Sequence, residues 1–191
     1  SLTANTPYII TVTPSVPARS LKELIALAKS KPGSLNFGSS GTGTTPHLAG
    51  ELFNTLAAVK INHIPYKGSA PMVNDLLGGQ VQVAFDNTVI PNIKAGKLIG
   101  LAVTSGTRLA AVPDIPTAIE AGLPGYEAVG WMGLAAPKGT PADTVARLAR
   151  ETARGMAQPD VVEKLTALGF QAASNTPEQF TAYVKSEIAK W

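Results

Sequence analysis

Ser39, Ser40, Gly41, Gly43, Thr44, Thr45 and His47 crowd hydroxyls, glycines and one imidazole into a single short stretch. Residue types in this pattern suit the binding of an anion. Between Ser34 and Val59 the only formally charged side chain is Glu51, so an anion held here would be met by backbone N–H groups and hydroxyls. That environment fits a small carboxylate better than a polyphosphate. Gly38 to Thr45 has the form G-x-x-x-x-G-T-T, which departs from the phosphate-binding loop where Thr44 replaces the required lysine. Pro46 likewise stands where a dinucleotide fingerprint needs its third glycine. Nucleoside triphosphates, nicotinamides and flavins are disfavoured, and no cofactor is expected.

The elements that must position this stretch follow from its flanks. Leu35 to Phe37 reads as a strand. Thr45 is a good N-cap and Pro46 suits the first helical position, with Leu48, Leu52 and Leu56 recurring every four residues. A helix is therefore expected from Pro46. Its first-turn N–H groups lack intrahelical partners and, with the positive end of the dipole, attract an anion. The competing reading is a sharp strand-to-helix turn with no ligand.

Along the rest of the chain strand and helix alternate, a pattern that implies an α/β fold with parallel sheets. Tyr8–Thr13 is an apolar strand. Ser20-Leu21-Lys22-Glu23 is a capping box opening a helix with Leu21, Leu24, Ile25 and Ala28 inward, stopped by Pro32-Gly33. A strand near Ile61–Ile64, a helix near Ala70–Leu77, a strand at Val81–Phe85, a short helix and a strand at Ile99–Val103 follow. Ser105–Tyr126 is rich in Pro and Gly, with a short helix expected near Thr117–Ala121. Trp131–Ala135 is a further strand, and Thr140-Pro141 and Thr176-Pro177 open two closing helices.

In open α/β sheets ligands bind beyond the carboxyl ends of the strands. That rule gathers the Gly38–Thr45 loop, Tyr66 to Ser69, and Asp86-Asn87. Asp86 could pair with a ligand ammonium or accept a ligand hydroxyl, and it would repel a plain dicarboxylate; its competing role is an N-cap or Asx-turn. His47 could donate one ring N–H to the ligand or make a structural hydrogen bond. His47 and Glu51 have metal-ligand spacing, but the only other histidine is His63, so no metal is expected.

Asn36-Phe37-Gly38-Ser39-Ser40-Gly41-x-Gly43-Thr44-Thr45-x-His47-Leu48-Ala49-Gly50-Glu51-Leu52-Phe53, followed by Pro65-Tyr66-Lys67-Gly68-Ser69-Ala70-Pro71, resembles the substrate-binding proteins of tripartite tricarboxylate transporters, the Bug family. Asp75-Leu76-Leu77-Gly78-Gly79-Gln80-Val81, Phe85-Asp86-Asn87, Pro113-Asp114-Ile115-Pro116-Thr117 and Ala136-Pro137-x-Gly139-Thr140-Pro141 extend the likeness almost to the end. The resemblance implies a type II-like periplasmic-binding-protein fold of two α/β lobes with parallel or mixed sheets flanked by helices. Residues 1–128 would form mostly the second, complete lobe, with an inter-lobe excursion at 105–128; residues 129–191 would add a crossover strand and the C-terminal part of the first lobe. That first lobe would be incomplete, lacking roughly the N-terminal third of a family member. The resemblance further implies a periplasmic receptor, not an enzyme. It would be a monomer that captures a di- or tricarboxylate, acidic amino acid or aromatic acid and delivers it to membrane permease subunits. Ser39, Ser40, Gly41, Gly43, Thr44, Thr45, His47, Tyr66, Asp86 and Asn87 are the expected ligand contacts.

Composition sets the outer bounds. The 191 residues are 45% apolar, enough for a real core, and hold 16 basic against 13 acidic side chains in dispersed positions. Neither nucleic acid nor an acidic membrane surface is indicated as a partner. No apolar run is long enough to span a bilayer, so direct membrane insertion is not expected. The absence of cysteine removes disulfides, thiolate zinc sites and cysteine nucleophiles. The chain opens at Ser1 without a signal peptide, so the periplasmic expectation rests on the resemblance. The rival class is a serine-type hydrolase using the Ser39/Ser40 loop with His47 and Asp86. Against it, a nucleophile elbow needs G-x-S-x-G, and Gly38-Ser39-Ser40-Gly41 is a residue short.

Overall fold

A computed structural model describes residues 1–191. In chain order the elements are β1 (Leu2–Pro7), β2 (Ile9–Val12), α1 (Leu21–Ser30), β3 (Asn36–Ser39), α2 (Thr45–Ala57), β4 (Asn62–Pro65), α3 (Ser69–Leu77), β5 (Val83–Asp86), α4 (Ile90–Lys94), β6 (Ile99–Val103), β7 (Val129–Gly133), α5 (Ala142–Met156), α6 (Pro159–Ala167), β8 (Gln171–Ala172) and α7 (Pro177–Lys190). They divide into two compact units, Pro7–Gly130 and Ser1–Thr6 with Trp131–Trp191.

The Pro7–Gly130 unit is built on a five-stranded sheet in the order β4-β3-β5-β2-β6. β3 runs parallel to β4 and β5, while β2 is antiparallel to both β5 and β6. The sheet is therefore mixed rather than wholly parallel. Alternation along each strand sends side chains to opposite faces. Ile10, Val12, Phe37 and Phe85 meet Leu21, Leu24 and Ala28 of α1 and Ala49, Phe53 and Ala57 of α2. On the other face Ile9, Ala84 and Val103 meet Met72 and Leu76 of α3.

Several local expectations shift by a residue or a face. α1 begins as expected, with Ser20 Oγ accepting from the Glu23 amide, but Glu23 Oε2 reaches past Ser20 to the Arg19 N–H at 2.6 Å. Arg19 is held there by bonds from its guanidinium to the Val16 and Ala18 carbonyls. α2 starts one residue early, with Thr44 as N-cap, and buries Pro46, Ala49, Gly50, Phe53 and Ala57. The leucine row is not its inward face, since Leu56 is 43% exposed. The small residues face inward because a Cβ on Gly50 would collide with the Phe37 ring. Thr117–Ala121 forms turns instead of a helix, because Thr117 pairs in a parallel bridge with Val103 and Glu120 Oε2 accepts from both the Thr117 N–H and Arg108. Leu109, Val112, Ala118, Leu123 and Tyr126 of the Ser105–Tyr126 segment are buried in this unit.

The second unit carries a three-stranded sheet, β7-β1-β8, in which β1 and β8 are antiparallel through Ala4↔Ala172 and Asn5↔Gln171. Three helices close the chain, not two. Gln158-Pro159-Asp160 supplies the start of α6, which sequence reasoning passed over. Thr140 spends its hydroxyl on the Pro137 carbonyl at 2.8 Å, so Pro141 becomes the N-cap of α5. Thr176-Pro177 opens α7 as expected, with a full capping box to Gln179. Trp131 meets Phe180 and Tyr183 edge-on at 5.7 and 5.8 Å.

Candidate functional site

Parallel pairing of β3 with β4 and β5, and antiparallel pairing of β2 with both β5 and β6, put the carboxyl ends of β3, β4, β5 and β6 on one edge of the five-stranded sheet, where β2 starts with Ile9 opposite both Asp86 and Val103. The segments leaving that edge are the Ser39–Thr45 loop, Tyr66–Ser69, Asp86–Thr88 and Thr104–Thr107, with Tyr8 just ahead of β2.

The loop is shaped by its own hydroxyls. Ser39 is fully buried at the end of β3; its Oγ lies 2.6 Å from His63 Nε2 and 3.1 Å from the Gly41 carbonyl, and it accepts from the Gly41 N–H at 3.2 Å. Ser40 Oγ donates to Thr44 Oγ1, and Thr44 Oγ1 donates to the Gly41 carbonyl at 2.7 Å. Thr44 therefore does not cap α2 with its side chain. The first-turn amides of Thr45 and His47 are left without a side-chain acceptor. Gly43, at φ +79°, takes a conformation that suits glycine, and its N–H donates to His47 Nδ1 at 3.0 Å. His47 stacks on His63 with ring centroids 3.9 Å apart, and its Nε2 lies 3.9 Å from Glu51 Oε1. Burial, and then the neighbouring His47, hold the His63 pKa below its ordinary value, with Glu51 opposing.

The other segments are tied to this loop. The Gly68 N–H donates to the Ser40 carbonyl at 3.1 Å, and the Tyr66 N–H to the Ser39 carbonyl at 3.0 Å. Ser69 Oγ donates to Asp86 Oδ2 at 2.8 Å, while the Thr88 N–H and hydroxyl both donate to Asp86 Oδ1, at 2.8 and 2.7 Å. Asp86 is 2% exposed. Its carboxylate thus makes an Asx-type turn and anchors the start of α3; the N-cap of α4 is Val89, not Asp86. Like α2, α3 has no side-chain cap. Asn87 is buried beside Asp86. The Tyr66 hydroxyl turns to Asp75 Oδ2 at 2.8 Å, and its pKa is pushed up to about 12 by burial and then by that carboxylate.

Sequence reasoning missed Tyr8, Thr88 and Thr104. Tyr8 is buried, and its backbone is clamped by Thr104 through bonds at both its N–H and its carbonyl. Burial raises the Tyr8 pKa, with the Thr45 side chain opposing and the Asp86 charge adding to it. The available signal was position: Tyr8 opens the apolar run of β2, which pairs beside β5. The hydrolase constellation does not assemble. Ser39 meets His63 rather than His47, Ser40 Oγ donates to Thr44 Oγ1, and Asp86 binds Ser69 and Thr88 rather than an imidazole.

Glycine and hydroxyl loops at the carboxyl edge of a mixed α/β sheet lie where α/β folds bind ligands. The chain matches the Tripartite tricarboxylate transporter family receptor over residues 1–191 and belongs to that family. It is 41% identical to the UPF0065 protein in the tcbD-tcbE intergenic region of Pseudomonas sp. strain P51, over all of this chain and 57% of that protein. Among solved structures it resembles R. palustris Rpa4515 with adipate, at 38% identity and a TM-score of 0.90, over all of this chain and 64% of that one. It also resembles MatC from Rhodopseudomonas palustris with bound malate, at 32% identity and a TM-score of 0.85, over all of this chain and 67% of that one. The fold is that of periplasmic binding proteins of this family. The chain spans under three fifths of the length of that Pseudomonas relative. No helix is long and apolar enough to cross a membrane.

Proposed function

We propose that this chain belongs to a periplasmic receptor that captures a small aliphatic carboxylate and delivers it to the permease subunits of a tripartite tricarboxylate-type transporter. The observation that carries the reading is the start of α2. Its first-turn amides at Thr45 and His47 have no side-chain cap, because Thr44 Oγ1 is committed to Gly41. Uncapped first-turn amides at the positive end of a helix bind carboxylates through charge-assisted hydrogen bonds. Ser40, Gly41, Gly43, Thr44 and Thr45 form the cradle in this reading, with Tyr8 and Asn87 beside it. Ser39, Tyr66 and Asp86 act through it: each is tied by hydrogen bonds to a loop or helix that shapes the cradle. Membership of a receptor family and relatives bearing adipate and malate support the choice of ligand class.

A non-catalytic role agrees with the same geometry. A serine nucleophile must reach its substrate, and Ser39 is fully buried with its Oγ engaged by His63 and Gly41.

Thermal unfolding against malate, adipate, succinate, citrate, glutamate and benzoate, with ATP as the contrasting anion, tests the reading. A ligand at ~100 times its dissociation constant adds roughly 2.7 kcal/mol, so binding raises Tm visibly. A rise with aliphatic carboxylates and none with ATP is expected. No rise with any carboxylate, or an equal rise with ATP, overturns it.

A further inference from the structure

His47 stands at the lip of the cradle with a hydrogen-bonding role opposite to the one an anion needs. Its Nδ1 accepts the Gly43 N–H at 3.0 Å, so in this arrangement the ring is neutral with its proton on Nε2, which lies 3.9 Å from Glu51 Oε1. The Gly43 N–H, two residues ahead of the helix start, is thereby turned onto the imidazole and withheld from any ligand. Imidazole is the side chain whose charge ordinarily changes between about pH 5 and 8. A proton arriving from solvent at Nδ1 turns that atom from acceptor to donor and breaks the bond to Gly43.

The groups acting on the pair of rings are few. His63, on β4, stacks on His47 at 3.9 Å, lies against Phe37 at 4.9 Å and is pinned at Nε2 by Ser39 Oγ; Glu51 supplies the one nearby carboxylate. Two stacked imidazolium ions repel each other. Burial and then His47 disfavour a charge on His63, with Glu51 opposing.

We propose that Gly43 and His47 form a proton-operated catch on the anion loop: protonation of His47 releases the Gly43 N–H to the bound carboxylate and adds a positive charge at the cradle, so acidification tightens binding. The inference rests on the carboxylate-receptor reading and adds its regulation. Linkage makes it reciprocal, since a carboxylate that prefers the protonated loop must also draw a proton onto His47.

The test measures malate and adipate affinity by calorimetry at about pH 8 and about pH 6, a range in which carboxyl groups such as theirs stay largely ionised. Gaining one hydrogen bond to an ionised ligand corresponds to a dissociation constant about tenfold lower at the acidic end. In His47→Gln the side-chain amide oxygen can still accept from Gly43 but does not titrate, so its affinity should be the same at both pH values. Glu51→Gln should shift the wild-type transition to lower pH. An unchanged wild-type affinity, or an equal slope in His47→Gln, overturns the catch. In parallel, the backbone amide resonance of Gly43 should move with the titration of the His47 ring, and a stationary Gly43 signal overturns the catch without reference to ligand. Failure of both acids to bind at either pH instead sinks the receptor reading, and the Gly43 resonance then decides the proton exchange alone.

Discussion

At the scale of single residues the candidate site is a division between side chains that shape and backbone that binds. Thr44, Ser39 and Asp86 each carry two or more hydrogen bonds to loop or helix partners, so their own lone pairs and protons are largely used. Thr45 is the place to separate amide from hydroxyl. Proline is well tolerated in the first helical turn, so Thr45→Pro deletes one cradle N–H while keeping α2, and Thr45→Val deletes only the hydroxyl. Malate or adipate affinity should fall roughly tenfold further in Thr45→Pro than in Thr45→Val; equal losses by calorimetry would remove the amide from the site. Asp86→Asn leaves Ser69 or Thr88 with a poorer acceptor in a buried setting. It should destabilise the protein by about 1–3 kcal/mol in urea unfolding. A neutral effect there, with selective loss of a hydroxy acid, would return Asp86 to the role of ligand contact. The histidine pairing was not legible beforehand: His47 and His63 are far apart in sequence, and only the parallel register of β3 and β4 places His63 beside Ser39.

Among the elements, α2 shows how a periodicity can be right about type and wrong about face. The four-residue leucine spacing marks a helix. The buried stripe is nevertheless Pro46, Ala49, Gly50, Phe53 and Ala57, since close approach to Phe37 admits only small residues at Gly50. Gly50→Ala should therefore destabilise by about 1–3 kcal/mol through overpacking, despite alanine's higher helix propensity. A gain in Tm for this variant would contradict the contact with Phe37. α7 tests the opposite case, a cap read correctly from Thr176-Pro177 and completed by Gln179. Thr176→Ala should cost about 1 kcal/mol, measured by chemical denaturation.

For the whole molecule, burial is uneven between the two units. The Pro7–Gly130 unit holds the two buried clusters, whereas α5, α6 and α7 carry no fully buried residue. Amide exchange should accordingly be slowest in β2, β3, β5 and α2 and fastest in the three C-terminal helices; uniform protection would contradict this. The pH profile of stability has two sides. His63 has a lowered pKa when folded, so its contribution is present above the unfolded value and is lost as pH falls below it. Tyr66 has a raised pKa, near 12, so stability falls as pH rises from the ordinary tyrosine value towards that figure. Urea midpoints across pH should decline at both ends, and Tyr66→Phe should flatten part of the alkaline decline.

The α/β character, most strand positions, the glycine-hydroxyl loop before α2 and the family were all readable from sequence, because alternation, helix caps and short motifs act over a few neighbouring residues. Only the tertiary structure decided that β2 is inserted antiparallel between β5 and β6, that Tyr8 therefore stands beside Asp86 and Thr45, and that His63 rather than His47 meets Ser39. Strand order and register arise from contacts between segments distant in the chain, and no local pattern carries that information.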